Sequence, residues 1–349
     1  MLYRQLGRSG LRVPVLTLGT MTFGGVGKFS FTGETDVAGA RRIVDRCIDA
    51  GVTFFDTANV YSWGVSEEIL GEVLRGRRGS VLVTTKVRMK MGEGPNDAGL
   101  SRHQIVAQCE ASLKRLGTDW IDLYQLHEWD GATPLEETLY ALDTLVRAGK
   151  VRYVGCSNYS GWHIMKALGI AERRGFEPLV SQQIHHTLEA REAEYELVPI
   201  AVDQGVGIMV WSPLAGGLLS GKYRRGQPMP PGSRHLTDWG EPPIRDQDRL
   251  YRIIETLVEL AESRDATPAQ LALAWLLTRP GVSTLVIGAK NEEQLTANLG
   301  AVDIVLSEEE RKRLDEVSAP PLLYPYWHQA KTASDRLSPA DLTLLGPRV

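Results

Sequence analysis

Apolar positions along the chain fall into two alternating rhythms. Short runs crowded with β-branched and aromatic residues, such as 15–19, 53–58 and 81–86, are too short for stable helices and read as buried strands. Between them apolar residues recur at the spacing of an amphipathic helix, over about 35–50, 66–75 and 101–116. The alternation continues with strands at 121–127, 153–158, 179–184, 207–213 and 284–289, and helices near 134–148, 160–174, 193–204 and 291–300. Strict alternation predicts a parallel sheet covered by helices, and eight repeats are the number that closes into a (β/α)₈ TIM barrel, an α/β fold. A doubly wound open sheet is the alternative.

Several segments depart from the rhythm. Leu2 to Leu6 and Arg12 to Leu16 flank a Gly7-Arg8-Ser9-Gly10 turn, which predicts an N-terminal hairpin serving as lid or plug. Residues 216–247 are too rich in glycine and proline for regular structure and predict a long loop after strand seven, of the kind that closes over a site. Two helices follow in 248–279, the second announced by Thr267 and Pro268 as N-cap and N1, and one is extra to the barrel. Ser307 to Glu310 form a capping box for a last helix. The expected organisation is one catalytic barrel domain over 1–317 and a tail over 318–349, rich in proline and aromatics, able to reach the open face.

Composition narrows the partners. The chain has 349 residues, 43% hydrophobic and 23% charged, enough apolar material for a large core. A net charge of −4 without clustered lysine or arginine argues against nucleic acid and anionic membranes and favours small molecules. No apolar run approaches the roughly 20 residues of a bilayer span, and the start lacks a signal-peptide core, so a cytoplasmic location is expected. The cysteines, Cys47, Cys109 and Cys156, are far apart and read as buried thiols, with no metal site expected. His185 and His186 are adjacent, so a strand points them to opposite faces, one toward core and one toward surface.

Polar residues gather at the predicted strand ends. Asp56 ends strand two, Lys86 strand three, His127 strand four and Ser157-Asn158 strand five, so in a barrel all converge on the C-terminal rim. Tyr61 follows Asp56 on a loop that leads to a helix capped by Ser66. A tyrosine of ordinary pKa about 10 is a poor proton donor at neutral pH; a nearby ammonium would lower that value, and a carboxylate would hold the ammonium in place. An imidazole beside the phenol could orient a carbonyl oxygen. Each residue alone has a plainer reading: a cap, a solvated lysine, a core histidine. Their conjunction at successive strand ends predicts a general-acid site. Trp63, Trp129 and Trp327 are candidate walls of an apolar substrate pocket.

The motif FFDTANVY, the TTK ending at Lys86 and the DLYQLH ending at His127 resemble the aldo-keto reductase family. The resemblance spans roughly 1–317 and implies Asp56, Tyr61, Lys86 and His127 as a catalytic tetrad. It further implies that Ser157, Asn158 and Gln183 hold a nicotinamide carboxamide and that Trp211 stacks on its ring. Ser212, Pro213, Leu214, Gly216, Gly217 and Lys222 would hold the pyrophosphate. The segment VIGAKNEEQLTANL supplies Gly288, Lys290, Gln294 and Asn298 for the adenosine phosphate, and Gly19, Thr20, Met21 and Asp56 complete the implied contacts. Lys290 stands where an arginine is common; it keeps the charge for a 2′-phosphate and loses bidentate geometry.

Competing motifs are weaker. Gly216 to Lys222 reads GxxxxGK, but Tyr223 replaces the Ser/Thr that would hold Mg²⁺ in a P-loop. Gly24-Gly25-Val26-Gly27 lacks the spacing of a Rossmann turn. The expected function is therefore NADP(H)-dependent reduction of aldehydes or ketones, with Tyr61 as general acid. A nucleotide-sensing binding subunit is the alternative, because ion-channel β-subunits resemble the same family.

Overall fold

The computed structural model describes residues 1–237, 240–289 and 291–349, and of Lys28 the backbone only. Lys290, expected at the adenosine phosphate, lies outside the described residues. Among the described residues eight parallel strands close into a barrel: β3 (Leu16–Gly19), β4 (Phe54–Asp56), β5 (Leu82–Val87), β6 (Ile121–Leu126), β7 (Val151–Ser157), β8 (Leu179–His185), β9 (Gly207–Trp211) and β10 (Val282–Ile287). They pair in sequence order and β10 closes on β3, which excludes the open sheet.

Before the barrel, β1 (Tyr3–Gln5) and β2 (Arg12–Pro14) form the expected antiparallel hairpin. It is a plug. Leu6 and Val13 are fully buried against Phe54, Leu123, Met209 and Val286, which come from four different barrel strands. Gly7 turns at φ 60°, and a Cβ there would lie 2.3 Å from the Gly205 carbonyl oxygen, so only glycine lets the hairpin tip seat against the start of β9.

Residues two apart on a strand share a face, and register then decides which side chains meet inside. Asp56 pairs with Thr84, and Lys86 pairs with Gln125. Phe54 and Asp56 lie two apart on β4, as Leu123 and Gln125 do on β6. The apolar layer over the plug is thus followed by a polar layer nearer the C-terminal rim.

Helices α1 (Val37–Asp49), α2 (Val65–Val73), α3 (Arg102–Leu116), α4 (Leu135–Arg147), α5 (Gly161–Arg174) and α6 (Ala193–Gln204) follow β3 to β8. In α1 the buried residues Ala40, Ile43, Val44 and Cys47 fall at helical spacing, and Asp36 caps the N-terminus by accepting from the Gly39 amide. The other two cysteines are also buried and free. Two helices, α7 (Gln247–Glu262) and α8 (Pro268–Leu277), separate β9 from β10, and Thr267 with Gln270 makes a capping box before Pro268. The helix after β10 is α9 (Glu292–Leu299), and α10 (Glu308–Ser318) starts at the Ser307 capping box. The long loop contains two short 3₁₀ turns, Ala215–Ser220 and Arg234–Leu236, so it is less irregular than expected.

One expectation about a helix terminus changes. Helix α2 is not capped by Ser66: it begins at Val65, with Gly64 at the N-cap in a left-handed conformation. The reason is the turn Tyr61–Gly64, whose Ser62 and Trp63 have φ of 49° and 57° and run straight into the helix. Ser66 instead donates to the Thr20 carbonyl at 2.8 Å, tying the loop after β3 to the loop after β4. The tail forms α11 (Tyr326–Thr332) and α12 (Leu342–Leu345) and packs on α6, with Tyr326 stacked on Tyr195 at 5.4 Å and Leu344 and Leu345 buried.

Candidate active site

The polar layer of the barrel converges on one ammonium. Lys86 on β5 is fully buried, and its Nζ donates to Asp56 Oδ1 at 2.6 Å, to the Thr57 carbonyl at 2.9 Å and to Tyr61 Oη at 3.3 Å. Burial disfavours its charge, but Asp56 and Tyr61 together hold the Lys86 pKa above its ordinary value. The second carboxylate oxygen of Asp56 accepts from Gln183 Nε2 at 2.8 Å and Gln125 Nε2 at 3.5 Å, so both oxygens of a buried anion are engaged.

Tyr61 hangs from the turn after β4, and the edge of the His127 ring meets it at a centroid distance of 5.9 Å and 81°. His127 follows β6 directly. Its Nδ1 is buried with no hydrogen-bond partner among the described residues. Burial, then the charges of Lys86 and Arg88, push its pKa well below the ordinary value, so the ring is neutral at pH 7.

The expected lowering of the Tyr61 pKa is not found. Burial raises it more than Lys86 lowers it, and Asp56 adds to the rise, so the phenol stays protonated well past neutrality. The tetrad therefore presents a neutral O–H, a neutral imidazole and an ammonium around one small space.

Apolar residues wall that space. Phe29 lies edge-on to Tyr61 at 5.9 Å, and Met21, Met89 and Met91 pack with Phe29, Ala58 and Val60. Of the three expected tryptophans, Trp63 is half exposed on the Tyr61 turn. Trp129 stacks on His163 at 3.7 Å and meets the edge of Tyr159, packing over β7 and α5. Trp327 sits half exposed in the tail with ring contacts to Tyr324 and His328.

The sites expected for a dinucleotide lie beside the tetrad. Asn158, at φ 57°, donates from Nδ2 to the His127 carbonyl at 3.1 Å and accepts from Trp211 Nε1 at 3.0 Å, locking three strand ends together. Ser157 donates to the Gln183 carbonyl at 2.9 Å, and Gln183 supports Asp56 as described. Thr20, fully buried, donates to the Asp56 carbonyl at 3.1 Å, so in this structure it positions the acid; Gly19, at the end of β3, pairs with Asp56.

After β9 the backbone turns through Ser212, Ala215, Gly216 and Gly217, all at positive φ, with Ser212 Oγ accepting from the Gly216 amide at 3.0 Å and Leu214 accepting from the Gly217 amide. Pro213 lies within this turn. A Cβ on Gly217 would come 3.5 Å from Lys222 Nζ, and one on Gly216 3.7 Å from Arg234 Cδ. Such a turned loop with two cations at hand suits a phosphate anion. Past β10, nothing among the described residues lies within 4 Å of a Cβ built on Gly288, whose carbonyl accepts from Asn298 Nδ2 at 3.2 Å; Asn291 caps α9 on the Gln294 amide, leaving a helix N-terminus nearby. Turned backbone, cations and a helix start form a donor set that fits a phosphate-bearing nicotinamide dinucleotide.

Sequence reading missed four contributors. Gln125 lies two residues before His127, so strand alternation alone could have flagged it as facing inward. Arg234, in the long loop, carries a charge that acts on Tyr61 against the effect of burial, and no local pattern signals it. The methionines at 89 and 91 lie in a loop with no periodicity. The histidine pair points apart as expected: His186 is buried against Glu194 and Trp275, and His185 is half-buried beside Trp211.

Comparison with known proteins agrees with this geometry. Residues 15–319 match the model of the Aldo/keto reductase family. A Bacillus subtilis protein described as uncharacterized oxidoreductase YrpG is 41% identical over 326 residues, covering 90% of this chain and 95% of its own. A probable voltage-gated potassium channel subunit beta from Arabidopsis thaliana is 38% identical, covering 87% of this chain and 92% of its own, and a putative one from Schizosaccharomyces pombe is 36% identical, covering 90% and 92%. Members of this family generally use NAD(P)H. A barrel with a buried Lys–Asp pair under a rim tyrosine, together with these matches, places the chain in the aldo/keto reductase family.

Proposed function

We propose that the protein catalyses reversible NADP(H)-dependent reduction of aldehydes or ketones to alcohols. The observation that carries this reading is the Lys86 ammonium bonded at once to Asp56 and to the Tyr61 phenol. A bound nicotinamide coenzyme supplies the hydride to the carbonyl carbon, or takes it back from the alcohol. Tyr61 Oη donates its proton to the carbonyl oxygen, and its raised pKa keeps that proton available at neutral pH. Neutral His127 orients the same oxygen, while Lys86 receives and steadies the negative charge that the phenol acquires on giving up its proton. Asp56, held by Gln183, Gln125 and Thr20, keeps Lys86 charged and in place.

Trp211, Asn158 and Gln183 would seat the nicotinamide. The loop from Ser212 to Gly217 with Lys222 and Arg234 would take the pyrophosphate, and Gly288, Lys290, Gln294 and Asn298 the adenosine phosphate. The Lys290 charge favours NADPH over NADH, and Lys290→Ala is expected to narrow that difference by about 1–3 kcal/mol, the scale of a charge-assisted contact, in paired coenzyme titrations. An unchanged affinity ratio would place the selecting charge elsewhere. The apolar corner of Phe29 and the three methionines suits an apolar substrate body.

A second reading follows from the potassium channel beta subunits among the relatives: a coenzyme-binding subunit that reports nucleotide state to a partner. Steady-state NADPH oxidation against a panel of aldehydes and ketones separates the two. Turnover supports the reductase; tight NADPH binding without turnover on any carbonyl supports the subunit.

A further inference from the structure

Behind Trp211 the rim holds a second cleft, of about 260 Å³, between the loop that follows β8 and the far part of the long loop after β9. Ala193, Leu197, Pro242 and Pro243 give it apolar walls, and His185 and Glu189 supply polar atoms. His185 Nδ1 lies 3.4 Å from the Trp211 carbonyl oxygen, a contact that requires the proton on Nδ1 and leaves a lone pair on Nε2. That Nε2 is buried without a hydrogen-bond partner among the described residues. Burial pushes the His185 pKa down to about 4, so the ring is a neutral acceptor at pH 7.

Glu189 is 6% exposed, and no hydrogen bond or ion pair to its carboxylate is found among the described residues. Two cations lie nearby: Arg249 keeps a buried Nε without a partner among the described residues, and Arg245 lines the cleft. Arg249 donates to the Glu189 and Ser318 carbonyl oxygens at 3.0 and 2.6 Å, and Arg245 pairs with Glu192 at the surface. Burial, then Glu192, raises the Glu189 pKa, against the opposing charges of Arg249 and Arg245.

We propose that this cleft binds a small primary ammonium ion with an apolar body, its N–H groups donating to His185 Nε2 and the Glu189 carboxylate. A buried imidazole nitrogen without a donor and a carboxylate with no partner among the described residues favour a head group that donates, and an ammonium carries three donors and no acceptor. An anion would meet Glu189, and a neutral alcohol would leave its charge unpaired. Leu197, Pro242 and Pro243 take the body, for which the volume allows one ring.

The test is isothermal titration of the full chain at pH 7 with benzylamine and with its neutral counterpart benzyl alcohol, needing neither coenzyme nor turnover. Saturable one-to-one binding of benzylamine, at least about tenfold tighter than the alcohol, is expected from the charge-assisted contact. Glu189→Gln should remove that preference, and Ala193→Met, which fills the cleft, should abolish binding; thermal melts establish that both variants are folded. The comparison of the two probes on the unmodified chain needs no variant. Equal affinity for amine and alcohol, no saturable heat, or benzylamine binding untouched by Glu189→Gln would overturn the assignment.

Discussion

Lys86 touches three oxygens, and the balance among them sets the chemistry of Tyr61. If the ammonium is what restrains the phenol pKa against burial, Lys86→Met should let it rise further, since the opposing charge is gone while much of the stem remains. In alcohol oxidation a phenolate must accept the proton, so the rising limb of kcat/KM should move to higher pH, with activity recovering as pH increases. A folded, NADPH-binding variant with the wild-type profile would sink the coupling. Asp56→Asn acts in two opposing ways: it removes the charge that keeps Lys86 protonated, and it removes a negative charge that raises the Tyr61 pKa. If holding Lys86 charged and in place is the larger effect, a smaller shift in the same direction is expected, read from the same profiles; a shift to lower pH would assign the larger effect to the carboxylate's own charge. The grouping was legible because Asp56, Lys86 and His127 lie at strand ends and Tyr61 follows the first of them, each in a recognisable motif. The raised Tyr61 pKa was not, because desolvation depends on Phe29, Met21 and the surrounding loops, whose packing no sequence spacing reveals.

At the scale of elements, close approach and buried charge decide what can change. Gly71 lies inside α2, and a Cβ there would be 2.6 Å from the Leu116 carbonyl oxygen of α3. Alanine is the better helix former by about 1 kcal/mol, yet Gly71→Ala must push two backbones apart and should destabilise by about 1–3 kcal/mol in denaturant melts. An unchanged or raised stability would mean the helices separate freely.

A buried ionic cluster joins the start of α6 to α10. Glu194 accepts from His186 and from Arg191 at 2.9 and 2.8 Å, and Arg191 reaches the Asp315 carbonyl and Ser318 Oγ. Burial alone would raise the Glu194 pKa, but these donors hold it down to about 2 from 4.5. Its contribution, about 3 kcal/mol on that difference, is present in full above pH 4.5 and lost as pH falls through 2. Glu194→Gln should remove a similar amount at pH 7 and flatten the acid limb of stability relative to wild type. Equal acid limbs would assign the cluster no net role. The strand and helix order was legible from period alone, whereas Ser66 was misread as a cap because Ser-Glu-Glu also begins helices. The left-handed turn at Ser62 and Trp63 that starts α2 earlier has no sequence signature outside glycine and asparagine.

For the whole molecule, the barrel, its hairpin plug and the cap helices arrange a buried cation under a rim phenol, next to a loop suited to phosphates. Closure into a barrel was readable from eight alternations, and the convergence of Asp56, Lys86, Tyr61 and His127 followed from closure. The course of the tail was not, since aromatic and proline content shows that it packs without showing where; Tyr195 and α6 provide that surface. The most direct test is NADPH oxidation with a panel of aldehydes and ketones, run side by side on wild type and Tyr61→Phe, with coenzyme binding measured on both. Proton donation by Tyr61 predicts measurable wild-type turnover and a loss of about 10² or more in the variant, with NADPH binding retained. Near-normal turnover by Tyr61→Phe would contradict it.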